Sequence, residues 1–394
     1  MTFQTLALIT VLGLAGPLLA WRQSWHLPVI LGELAAGIVF GTTGFGVLDP
    51  AEPTFAFLAN IGFAVVMFVA GTHVPVRNAA IRSALGTGAL RAVLVGVAAA
   101  VLGPLVSDFF GMGHGAMYAV LIASSSAALV LPVIDSQGLT GKPVLELTAQ
   151  VAIADAACVV ALPLMIDPSH AGRAALGALA VAAAAVVVYF VLRYLEMSGI
   201  RHRMHKISED RQFALELRVS LALLFLLGAL ATRSQVSIML AGFALGLAVA
   251  AVGEPRRVAR QLFGISDGFL APLFFVWLGA RLNLREFGQQ PHLIILGLAL
   301  GGAAVLAHAL MRLSGQPIPF GVMASAQIGV PVAAVTVGTQ LHVLKPGEAS
   351  ALMLGALITV AATAWAARGI PAAPTAAGSN GATEPGPPSP KPPS

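Results

Sequence analysis

Long apolar runs recur from one end of this chain to the other, and their length constrains the fold more than any other feature. Thirteen can be drawn between residues 4 and 368, from 4–21 and 27–46 to 317–341 and 347–368. Each falls within the roughly 17–25 residues that an α-helix needs to cross a bilayer. Only 10% of the 394 residues are charged, against about 25% in ordinary soluble domains. Membrane-barrel strands would instead alternate polar and apolar residues over about 10 positions. The expected fold is therefore an all-α polytopic membrane protein of about thirteen transmembrane helices. The first run has no Lys or Arg ahead of it, so it reads as a first transmembrane helix rather than a cleaved leader.

The charges orient this bundle. Of 22 Lys and Arg, fifteen fall on one side of the thirteen spans and five on the other, with Arg91 and Arg218 inside spans. Basic loops stay in the cytoplasm, which places the N-terminus outside and the C-terminus in the cytoplasm, as in a bacterial inner (plasma) membrane. No basic cluster is large enough for nucleic acid. The cytoplasmic loop 197–212 divides a transmembrane region, 1–368, into a first half of about 1–196 and a second of about 213–368. Residues 369–394, rich in Pro, Gly and Ala, read as a disordered cytoplasmic tail. Cys158 is the single cysteine, so no intrachain disulfide forms. No metal cluster, phosphate loop or hydrolase elbow is present, so neither a cofactor nor an enzyme activity is expected.

The two halves echo each other. FLANIGFAVVMFVAG (57–71) resembles FLAPLFFVWLGA (269–280), and LAAGIVFG (34–41) resembles LAGFALG (240–246). SSSAALVLP (124–132) and ASAQIGVP (324–331) each place a polar cluster before a proline inside a span. Every match is displaced by seven helices. An odd displacement inverts the second half relative to the first, as in many secondary transporters, whose interrupted helices occupy corresponding places. Pro132 and Pro331 are expected to break their helices, because proline lacks an N–H and crowds the carbonyl four residues back. Irregular backbone at membrane depth is tolerated only inside protein or beside a cavity.

In AQVAIADAACVVALP (149–163) a lone acid, Asp155, sits mid-span. A carboxylate there costs several kcal/mol unless it faces a cavity, finds a partner or takes a proton. It can hold a proton or a small cation but hardly both, and that competition alone produces exchange. The competing reading is a structural acid paired with Arg91 or Arg218. Cys158 shares a face with Asp155 and reads as packing. His308, in AAVLAHALMRL, is a second intramembrane titratable group, a proton relay or charge partner for Asp155, or else a satisfied core histidine. Glu33 reads as a structural or near-interface acid.

These segments resemble the monovalent cation:proton antiporters, the sodium/proton exchanger superfamily. LPVILGELAAGIVFGTTGFGVL (27–48) is similar to the family's second helix and LANIGFAVVMFVAGTHV (58–74) to its next. SSSAALVLPVIDSQGL (124–139) resembles its first crossed, interrupted helix, IADAACVVALPL (153–164) its ion-binding aspartate motif, and LAPLFFVWLGARLNL (270–284) its later Pro-Leu-Phe-Phe segment. The resemblance implies two crossed interrupted helices beside Asp155, alternating access of a six-helix core against a dimerisation domain, and a homodimer. It implies that Asp155 binds the cation or proton, with Ser124, Ser125, Ser126 and Gln327 around the crossing. The partners it implies are Na⁺ or K⁺, H⁺ and the lipid bilayer, with no metal beyond the transported cation.

Three positions depart from the family pattern: Ala154 where Asp, Asn or Gln is usual, His308 on a helix that commonly carries Lys or Arg, and Gly329-Val330-Pro331 where a Gly-Glu pair is frequent. One carboxylate points to electroneutral one-to-one exchange. The short tail sets the chain apart from nucleotide-gated potassium-efflux systems of the Kef type. The alternatives are a transporter of the same fold for another solute, such as a sodium-coupled organic anion, and, from other classes, a membrane-embedded hydrolase using one of Ser124–Ser126 or a non-transporting sensor.

Overall fold

A computed structural model describes residues 1–21, 29–72, 79–166, 171–199, 214–234, 236–253 and 262–370. Nearly all of the loop expected at 197–212 and of the tail expected from residue 369 lies outside them. Seventeen α-helices follow in order among the described residues: α1 (Phe3–Gly13), α2 (Ala15–Ala20), α3 (Val29–Phe40), α4 (Pro53–Thr72), α5 (Ala79–Phe109), α6 (Gly115–Ala123), α7 (Ala127–Ser136), α8 (Lys142–Ile166) and α9 (Ala171–Met197). The second half contributes α10 (Leu215–Arg233), α11 (Ile238–Val252), α12 (Ala271–Arg281), α13 (Arg285–Gln289), α14 (His292–Ala309), α15 (Ile318–Ala324), α16 (Gly329–Gln340) and α17 (Glu348–Arg368).

Nine helical segments among the described residues are long and apolar enough to cross a membrane, and three shorter apolar ones accompany them. With α10, 19 residues long, they make the thirteen spans expected from the apolar runs. Helices dominate because lipid offers backbone groups no partner, so each span must satisfy its own. The face of α5 carrying Leu90, Val93, Val97, Val101 and Leu105 is exposed, while Arg91, Val95 and Ala99 on its other face are buried. That three-to-four-residue spacing is a lipid-facing stripe on one side and a packed stripe on the other. The second span ends at Phe40, earlier than expected, because Gly41–Gly46 turns back instead. There Thr42 and Thr43 donate their hydroxyls to the carbonyls of Ala280 and Leu282.

Packing repeats between the halves. The contact of α3 with α12 is matched by that of α11 with α4, and α5 on α8 by α14 on α17. Likewise α6 and α7 lie on α8 as α15 and α16 lie on α17. Glycine sets the close approaches: Gly37 meets Gly279 and Gly71 meets Gly246. A Cβ on any of the four would lie 2.1–2.4 Å from a facing backbone carbonyl, so the helix axes come within backbone contact, as small residues allow in membranes.

Two spans are interrupted. The first divides into α6 and α7 at Ser124–Ser126, the second into α15 and α16 at Ser325–Ile328. The prolines do not make these breaks, contrary to expectation. Pro331 is the third residue of α16, in the first turn, where no intrahelical acceptor awaits its missing N–H. Pro132 is the sixth residue of α7, and the helix runs on through it. What stops α6 is Ser124, whose ψ of 151° leaves the helix while its hydroxyl donates back to Leu121 O at 2.8 Å, a local bond that competes with the helix.

Glu348 ties the start of α17 to the start of α6. It is 0% exposed. Its carboxylate accepts from Tyr118 Oη at 2.6 Å and from the Lys345 N–H at 2.8 Å, and His114 Nδ1 lies 2.7 Å away. Tyr118→Phe removes one donor to a buried charge, so it should lower stability by about 1.5–3 kcal/mol, read as a fall in the detergent-solubilised protein's unfolding temperature.

Candidate functional site

The two breaks meet. The Ser124 hydroxyl shares its one proton between Leu121 O and Gln327 Oε1, and Ser125 Oγ donates to Ala324 O at 2.6 Å. The C-terminal ends of α6 and α15 thus bring carbonyls to the junction, and the N-terminal ends of α7 and α16 bring N–H groups. The former are partially negative and the latter partially positive. Ser124, Ser125, Ser126, Ser325 and Gln327 are all buried.

Asp155 reaches this junction from the middle of α8. It is 6% exposed, and its Oδ2 accepts the N–H of Ala127 at 3.0 Å. Ala127 is the first residue of α7, so the carboxylate sits at a helix N-terminus, where a negative charge is favoured. No salt bridge to Asp155 occurs among the described residues. The structural pairing considered from sequence is therefore absent. Arg91 instead pairs with Glu146 at 2.9 Å and donates to Ser314 Oγ at 3.1 Å, while Arg218 is exposed on α10. Cys158 is buried beside Asp155 on α8. Glu33, read from sequence as a structural or near-interface acid, is 3% exposed on α3 with its Cγ against Gly16 of α2.

His308 joins from α14. Its Nδ1 is 2.9 Å from Ala304 O. A carbonyl only accepts, so Nδ1 carries the proton and, in the neutral ring, Nε2 is an acceptor. Nε2 lies 3.4 Å from Ser125 Oγ. This is the serine–histidine contact that a hydrolase reading needs, but its geometry is unproductive. The Ser125 proton points to Ala324 O, and a backbone carbonyl, not a carboxylate, faces His308 Nδ1. A nucleophile's base is normally oriented and charge-stabilised by a third group.

Of the side chains named from sequence, Ser124 meets Gln327, Ser125 meets His308, Asp155 takes the N–H of Ala127 at the end of the same break, and Ser126 is buried within that break. Their donors are a carboxylate, hydroxyls, an amide and carbonyls, the oxygen set that hard cations take. Among the described residues no group of three or more His, Cys, Asp and Glu is arranged to hold a metal ion. Three buried residues, Gln150, Gln316 and Thr359, escaped the sequence reading. Gln316 Nε2 donates to Gln150 Oε1 at 2.8 Å, and Thr359 Oγ1 accepts the Gln327 N–H at 3.3 Å. None of the three has a charge to draw attention, and a signal for Thr359 existed only in extending the internal repeat to the last span.

Known proteins share this plan. The family described as sodium/hydrogen exchanger, transmembrane, matches residues 6–369. Among curated relatives, the putative Na⁺/H⁺ antiporter YjbQ of Bacillus subtilis is 22% identical over 384 residues, covering 90% of this chain and 61% of its own length. The glutathione-regulated potassium-efflux system protein KefC of Escherichia coli K12 is 27% identical over 359 residues, covering 85% of this chain and 55% of its own length. The chain thus spans little more than half of these relatives. The solved structure of the sodium proton antiporter MjNhaP1 from Methanocaldococcus jannaschii superposes with a TM-score of 0.66 at 18% identity, over 92% of this chain and 94% of that one, so the two share a fold. With the family match running the length of the membrane region, this multi-pass membrane protein belongs to the sodium/hydrogen exchanger transmembrane family.

Proposed function

We propose that this protein exchanges a monovalent cation, Na⁺ or K⁺, for protons across a bacterial inner membrane by alternating access, and that Asp155 is the seat that cation and proton share. The observation that carries this reading is a single buried carboxylate at the meeting point of two interrupted helices, with no ion pair among the described residues. An acid paired with a buried base would have no reason to release or take up a proton; among the described residues this one holds only a backbone N–H and can balance either cation or proton. Ser124, Ser125, Ser126, Gln327 and the exposed carbonyls supply the remaining oxygens, and His308 is a proton relay or charge partner for Asp155. Because Ala154 removes a second acid beside Asp155, the exchange is one-to-one and electroneutral. The N-terminus lies outside, the C-terminus lies in the cytoplasm, the protein works as a homodimer, and it is not an enzyme.

The relatives' names, one a Na⁺/H⁺ antiporter and one a potassium-efflux protein, support both candidate cations equally. The test is reconstitution in liposomes containing an internal pH dye. With an imposed proton gradient, adding Na⁺, K⁺ or Li⁺ should dequench the dye, and collapsing the membrane potential with an ionophore should leave the rate unchanged. Silence with every cation would sink the reading in favour of another solute on the same fold.

A further inference from the structure

The internal repeat places a second residue where Asp155 stands in the first half. Each long helix following an interrupted span presents one buried side chain whose oxygen accepts an N–H at the break. On α8 it is Asp155, which takes the N–H of Ala127. On α17 it is Thr359, whose Oγ1 takes the N–H of Gln327 at 3.3 Å and donates to Ala356 O at 2.7 Å. The supporting contacts repeat as well, since α6 and α7 lie on α8 as α15 and α16 lie on α17. Thr359 is 0% exposed, so its hydroxyl is committed to these two partners.

The consequence lies one bond away. Gln327 is the residue whose side-chain oxygen receives the Ser124 hydroxyl, the link between the two breaks. Its backbone is outside any helix, so no intrahelical bond fixes its orientation. The bond from its N–H to Thr359 is what holds it. We infer that Thr359 is a positioning residue for the cation: through the Gln327 backbone it sets where the amide oxygen and the Ser124 hydroxyl stand, and so sets affinity and the choice among Na⁺, K⁺ and Li⁺. Asp155 supplies the charge; Thr359, its counterpart in the inverted half, supplies the geometry. The inference rests on the exchange reading above.

Thr359→Val tests it, since valine matches the shape but offers no acceptor and strands a buried N–H. Loss of one such bond changes an equilibrium by about tenfold. In proteoliposomes, the half-saturating cation concentration should rise by about that factor, the preference among the three cations should shift, and the maximal rate should stay within about twofold, because the proton seat is untouched. Thr359→Ser, which keeps the hydroxyl, should restore the wild-type constants. A structural role alone would lower the amount of folded protein without changing the cation preference. Wild-type half-saturation and preference in Thr359→Val would overturn the inference while leaving exchange at Asp155 standing. So would a serine variant that behaves like the valine one. Inactive wild-type protein would instead remove the exchange reading, and this inference with it.

Discussion

Asp155→Asn is expected to reduce cation-driven proton movement to the level of protein-free liposomes while leaving the folded yield intact. Asparagine keeps the shape of the side chain, and its Oδ1 can still accept the Ala127 N–H that Oδ2 accepts now at 3.0 Å. It neither takes up a proton nor balances a cation. Among the described residues the carboxylate accepts a backbone N–H and has no ion-pair partner, so none of them stands in for its charge. The same competition fixes the sign of the pH effect in the wild-type protein. Lowering the pH raises the proton's share of Asp155, so the half-saturating cation concentration should rise as the medium becomes more acid. Measured from the same side of the membrane, saturating cation should recover the full rate. If Asp155→Asn still exchanges at half the wild-type rate or more, the acid is structural.

The largest effect on stability is expected at Arg91. Its guanidinium is 4% exposed, 2.9 Å from Glu146 and 3.1 Å from Ser314 Oγ, linking α5, α8 and the 3₁₀ turn Leu310–Ser314 that follows α14. Arg91→Ala leaves Glu146 buried with only Lys142, 3.8 Å away on the same helix and largely exposed. Removing one partner of a buried pair costs about 3–5 kcal/mol, whereas replacing both with apolar residues of similar size is often close to neutral. The Arg91→Met, Glu146→Leu double variant should therefore recover most of what Arg91→Ala loses. Arg218→Ala, on an exposed face of α10, should change stability by no more than about 0.5 kcal/mol. Fluorescence-detected unfolding in detergent distinguishes the three. Equal losses in the single and double Arg91 variants would mean that the pair is not a unit.

Much of this architecture can be read from residues because the bilayer imposes it. Span length follows from membrane thickness, so α4, α8, α9 and α17 begin and end within about three residues of their apolar runs. A lone acid in such a run must be explained, and Asp155 lies against the first break, on the N–H of Ala127. The breaks were harder to place. Prolines mark irregular helices, but Pro331 occupies a first-turn position that needs no N–H, and the chain leaves the helix earlier, at the serines and at Ser325–Ile328. The pairings that hold the core could not be read at all. Arg91 with Glu146 and Tyr118 with Glu348 join residues 55 and 230 positions apart, and periodicity within one helix carries no information about which neighbour it meets. Thr359 was invisible for a further reason: a threonine in a transmembrane helix ordinarily bonds back to its own backbone, as Thr359 also does through Ala356.

Proton release on cation binding tests the central claim most directly. Purified protein in weakly buffered detergent, near neutral pH and with a pH dye, is titrated with Na⁺ and then with K⁺ while bound cation is measured in parallel. If Asp155 is the shared seat, each cation bound displaces up to one proton; the ratio falls towards zero as the pH is raised and Asp155 empties of protons, and no release occurs in Asp155→Asn. Cation binding with no proton release at any pH, or release that persists undiminished in Asp155→Asn, would contradict the account.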